Sequence, residues 1–66
     1  MSRREKKRYL SLLIEEIVVT YGISEDVASK AVMNGPIVQM LDDKPEFVDH
    51  VPISSWAKDI YTNIRS

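Results

Sequence analysis

From about Arg4 to Tyr21, the apolar residues Leu10, Leu13, Ile14, Ile17 and Tyr21 recur at intervals of three and four, the period of one helix face. This spacing predicts a long first helix. Gly22 follows it directly, where a helix commonly closes in a left-handed turn. Tyr9, Leu12, Val18 and Val19 fall outside the stripe and make the helix apolar over more than half its circumference near its C-terminal end. So wide an apolar surface needs cover from several directions, by the rest of the chain or by another molecule.

Ser24 is a good N-cap for a second helix running to about Met33, with Glu25 and Asp26 in the first turn, where the helix dipole favours negative charge. Val27, Ala28, Ala31 and Val32 form its expected inner face, and Asn34-Gly35 ends it. Pro36 suits the first position of a short third helix, in which Ile37, Val38, Met40 and Leu41 are expected to be almost wholly buried. Asp42-Asp43-Lys44-Pro45 then interrupts the pattern. Residues 46–51 read as one irregular turn, and the stretch from His50 to Ile53 is the one place that tolerates an extended pairing. Pro52 disfavours helix at Val51. Ser54 or Ser55 caps a last helix carrying Trp56, Ile60 and Ile64 on one face, with Tyr61 beside them. The expected fold is all-α, a small bundle of three to four helices with a long N-terminal helix. Residues 1–8 form a basic N-terminal arm or first helical turn, and residues 9–66 a single helical domain.

Length sets the ceiling on what this pattern can build. Sixty-six residues, 44% of them hydrophobic and 29% charged, allow one thin core and exclude two-domain enzymes, large cofactor folds and repeat arrays. The absence of cysteine removes zinc fingers, iron-sulfur clusters, thiol nucleophiles and redox switches. Conformational entropy nearly cancels what so small a core returns, and self-association is one usual remedy.

Charge adds an asymmetry that the net value of -1 conceals. Arg3, Arg4, Lys6, Lys7 and Arg8 oppose only Glu5, while residues 9–66 hold four basic and nine acidic side chains. The basic end suits electrostatic steering toward phosphate or toward an acidic partner. Basic and apolar residues in this order imitate an export signal, but Glu15 and Glu16 interrupt the apolar run, so a cytoplasmic protein with no membrane span is expected.

The remaining constellations point away from chemistry. Ala31 and Gly35 have the spacing of a helix-turn-helix, yet the helix that would read bases offers only Gln39 and two carboxylates, Asp42 and Asp43, which repel phosphate. Asp42, Asp43, Glu46 and Asp49 with His50 lack the glycine and alternating carboxylates of a calcium loop and read as a hydrated acidic segment. His50 with Asp49, Ser54 and Ser55 makes no triad, because sequence neighbours seldom supply the cleft and oxyanion hole that a triad requires. No catalytic set, cofactor or metal is expected.

The order Ile14-Glu15-Glu16, Tyr21-Gly22-Ile23-Ser24, Val27, Gly35 and then His50 ahead of Trp56 to Ile60 resembles a domain-of-unknown-function family of short bacterial proteins, some encoded beside predicted toxins. Here the histidine lies in Asp49-His50-Val51-Pro52, without the flanking aromatic residue and glycine of the family pattern. The resemblance implies an antitoxin-like or accessory binding protein. Residue chemistry leads to the same class: a small intracellular interaction module that binds a protein partner or a second copy of itself. Tyr9, Leu12, Val19, Trp56 and Tyr61 are the candidate contacts, and Arg3, Arg4, Lys6, Lys7 and Arg8 the steering charges. The alternative is a nucleic-acid binder that uses the basic N-terminus.

Overall fold

Every residue assigned to regular structure is helical in the computed structural model, which describes residues 3–65. Five helices follow in order: α1 (Arg3–Tyr21), α2 (Glu25–Asn34), α3 (Ile37–Asp43), α4 (Pro45–His50) and α5 (Ile53–Arg65). At 1.5 Å per residue, α1 is about 28 Å long. It therefore runs almost the full 29 Å of the molecule, whose other extents are 19 and 18 Å. α5 and α2 lie along it, α3 joins α2 to α4, and α2 also meets α5.

Local signals set the helix ends. Gly22 adopts φ 66°, and its N–H bonds the Val18 carbonyl at 2.9 Å, closing α1 in the left-handed turn the glycine foretells. Ser24 is extended and accepts a hydrogen bond from the Val27 N–H through its hydroxyl, so α2 is capped as expected. Pro36 has helical backbone angles just ahead of α3, and its carbonyl accepts the Met40 N–H at 3.0 Å.

The core takes residues from every helix: Leu10, Leu13 and Ile17 from α1, Ala28 and Val32 from α2, Ile37 and Leu41 from α3, Val48 from α4, and Ala57 and Ile60 from α5. No polar or charged residue is buried among the described residues. The first-helix stripe is thus inward as its period requires, with Ile14 and Tyr21 half-buried at its margins.

Five expectations are corrected. The bundle has five helices rather than three to four, because residues 45–50 form a helix where an irregular turn was expected. Pro45 occupies the first turn of α4, where its missing N–H costs no hydrogen bond, and Val48 anchors the segment in the core. No strand pairing forms around His50 to Ile53; Val51 is extended but only links α4 to α5. Neither Ser54 nor Ser55 begins the last helix: the Pro52 carbonyl accepts from the Ser55 and Trp56 N–H groups, so both serines lie inside the first turn. Val27 is exposed, since Ala28 and Val32, four apart, claim the inner face of α2 and Val27 sits about 100° away from Ala28. In α3 burial is likewise confined to Ile37 and Leu41, with Val38 and Met40 half-buried.

Candidate functional site

The basic residues Arg3, Arg4, Lys6, Lys7 and Arg8 occupy the first turns of α1 and are helical; Met1 and Ser2 of the expected arm lie outside the described residues. Lys6 Nζ reaches Asp42 Oδ2 of α3 at 2.7 Å, tying the start of the long helix to the bundle. Arg3, Lys6 and Lys7 also form the lip of a trough of about 400 Å³. Leu10, Ile14 and Met33 make its apolar floor, and Ser11 completes the wall. Through Ser11 and Ile14 the trough continues into a second depression of about 280 Å³, where Val18 is joined by Glu15 and Glu25. The lip is therefore cationic at one end and anionic at the other. A floor of this kind takes apolar side chains, and the cationic lip favours carboxylates beside them.

The apolar candidates divide into two groups. Leu12 and Val19 face solvent, 48% and 75% exposed, and line a shallow depression together with Ile53, Glu15 and Glu16. Tyr9, Trp56 and Tyr61 are half-buried and pack against the core. The Tyr9 hydroxyl is buried with no hydrogen-bond partner among the described residues. Burial, and to a lesser degree the negative charge of Asp49, pushes its pKa above the ordinary 10.0. The Trp56 indole N–H donates to the Val48 carbonyl over 3.5 Å, and its ring meets Phe47 nearly edge-on, with centroids 6.2 Å apart. Tyr61 lies flat on Tyr21, with centroids 4.0 Å apart and an interplanar angle of 8°, and the Arg65 guanidinium stands 5.8 Å from the Tyr61 ring. The structure thus brings Leu12 and Val19 together, while Trp56 and Tyr61 hold helices to one another.

The sequence pattern does not single out Met33, Phe47 or the half-buried Ile53 as contributors to the surface. Met33 and Phe47 are 53% and 51% exposed, and Ile53 borders Leu12 and Val19. Met33 follows Val32 in a continuous apolar run, so only its angular offset from the buried Ala28 and Val32 hints at exposure.

His50, Asp49, Ser54 and Ser55 are all exposed. No group of three or more His, Cys, Asp or Glu side chains gathers as metal ligands among the described residues. Gln39, Asp42 and Asp43 are the exposed side of α3, so that helix turns carboxylates outward. No described helix is long and apolar enough to cross a membrane. Compared with known proteins, the chain matches no family model, no curated protein and no solved structure.

Proposed function

We propose that the chain is a small intracellular protein-interaction module that binds, without performing chemistry, a partner segment with an apolar face and acidic flanks. The observation that carries this reading is the trough along α1, whose floor of Leu10, Ile14 and Met33 lies beneath the cations Arg3, Lys6 and Lys7. Desolvating the floor supplies affinity, and the lip selects for charge and speeds encounter. The antitoxin-like role implied by the family resemblance is a narrower form of the same reading, in which the partner is a toxin.

The test is a titration of isotope-labelled protein with two synthetic amphipathic helices, one of leucine and glutamate and one of leucine and lysine. The acidic peptide is expected to shift the amide resonances of Lys7, Ser11 and Met33. Lys7→Glu and Met33→Asp, both at exposed positions, are each expected to weaken it about tenfold while leaving the circular dichroism unchanged. Equal binding of both peptides, or indifference to both substitutions, removes the reading.

One observation favours a nucleic-acid binder as the second reading: Arg3, Arg4, Lys7 and Arg8 are exposed on consecutive turns of a single helix. Titration with duplex DNA at low and moderate salt decides it. Engagement of all five basic side chains would lower affinity by roughly a few hundredfold over a fourfold rise in salt. No binding at low salt eliminates the nucleic-acid role.

A further inference from the structure

A second surface of α1 has a pattern that the trough does not use. Turning about 100° per residue, Arg8, Leu12, Glu15 and Val19 fall within roughly 60° of the helix circumference, roughly opposite the buried Leu10, Leu13 and Ile17. Their intervals of four, three and four are those of side chains that meet when two helices coil together. All four are exposed, and Val19 is the most exposed large hydrophobic residue among those described. Among the described residues, neither Arg8 nor Glu15 has an ion pair within its own chain.

We propose that this stripe is the interface of a two-fold symmetric homodimer in which α1 of one copy lies antiparallel to α1 of another, with Leu12 at the symmetry axis. The charges argue for this occupant and orientation. One turn before Leu12 stands a cation, Arg8; about one turn after it stand two anions, Glu15 and Glu16. A two-fold axis through Leu12 sets Arg8 of each copy against Glu15 and Glu16 of the other, so the same surface is its own electrostatic complement. A parallel pair would oppose Arg8 with Arg8 and Glu15 with Glu15. Val19 of each copy then meets the aliphatic stem of Arg4 of the other, and Ile53, beside Leu12 and Val19, widens the apolar strip.

An interface at the small end of the specific range buries about 1,200 Å² in total, or about 600 Å² per copy, roughly an eighth of the 4770 Å² surface of the chain. The α1 seam runs almost the 29 Å length of the molecule. The stripe and the trough's apolar floor lie on different sides of α1, with Glu15 at the margin they share, so the inference goes beyond the partner-binding role, and Arg8, Leu12 and Val19, which line no part of the trough, test it separately.

Sedimentation of the full chain from about 10 μM to about 1 mM is expected to show mass rising from 7.6 kDa toward twice that value. Arg8→Glu and the paired change Glu15→Arg with Glu16→Arg are each expected to weaken association at least about tenfold, and all three together to restore it to within about threefold, because the full swap re-forms every pair. The chain has no cysteine, so Leu12→Cys and Val19→Cys each introduce a single thiol. Under mild oxidation the Leu12→Cys variant is expected to cross-link and the Val19→Cys variant not to, since the two copies of position 19 are about 21 Å apart along an antiparallel pair. A monomer throughout the concentration range overturns the proposal. So does failure of the full charge swap to recover association, or cross-linking of the Val19→Cys variant as readily as the Leu12→Cys variant.

Discussion

Leu12 and Leu13 are chemically identical neighbours in one helix, yet Leu13 is completely buried and Leu12 is 48% exposed. The same contrast holds one and two turns on, between buried Ile17 and exposed Val19. Composition and helix propensity cannot separate these residues, so angular position alone decides which apolar side chain becomes core. The inward face of α1 is covered chiefly by α2 and α5, whereas Leu12 and Val19 on its outward face stay exposed, with Ile53 of α5 at their margin. An apolar residue in a small helical protein therefore carries two different physical roles depending on a rotation of about 100°.

The sharpest way to break this comparison is to truncate both leucines. Leu13→Ala should destabilise the fold by about 2–5 kcal/mol, because it empties a site with no solvent access, whereas Leu12→Ala should change stability by roughly 0.5 kcal/mol or less in the isolated monomer. Equal losses in denaturant unfolding of dilute protein would mean that the two faces do not differ as described. Gly22→Ala should have the next largest effect. A Cβ there meets nothing within 4 Å, so any loss comes from the φ of 66° alone, about 1–2 kcal/mol, measurable as a lower unfolding midpoint with unchanged denaturant dependence.

Tyr9 lies between the two faces, and its effect is smaller than that of Leu13 or Gly22. Its hydroxyl is buried without a partner among the described residues, so Tyr9→Phe should be neutral or stabilise by up to about 1 kcal/mol at neutral pH. Burial and then Asp49 raise its pKa, so the folded state favours the neutral phenol. The stability this supplies is fully present below pH 10.0 and is lost as pH rises through the higher folded-state value. Unfolding curves measured on either side of pH 10 should therefore show Tyr9→Phe gaining on the native chain at the alkaline end. Parallel losses in both proteins would show that the hydroxyl is not held in an apolar environment.

The features readable from sequence share one property: a short stretch of chain is enough to cause them. The stripe of α1, the left-handed Gly22 and the Ser24 cap each depend on neighbours within about four residues, and each is present as read. α4 was not legible because its six residues contribute one buried side chain, Val48, and the turn chemistry of Asp42 to Pro45 masks a proline that begins a helix. The trough was illegible for a different reason. Lys7 and Met33 line it together only because α2 packs against α1, and no local pattern reports which residue of one helix lands beside which residue of another. Leu12 and Val19 stood out as apolar excess on α1, but Ile53 beside them depends on where α5 begins.

The stacked rings of Tyr21 and Tyr61 lie forty positions apart, and they mark a seam that joins segments from opposite ends of the described chain. Contacts of such long separation form late, because the intervening loop must close before they contribute anything. During synthesis the inward stripe of α1 therefore has only part of its cover until residues 53–65 have followed it. Until α5 docks, Leu10, Leu13 and Ile17 lack one of their two chief covers and stay open to a chaperone.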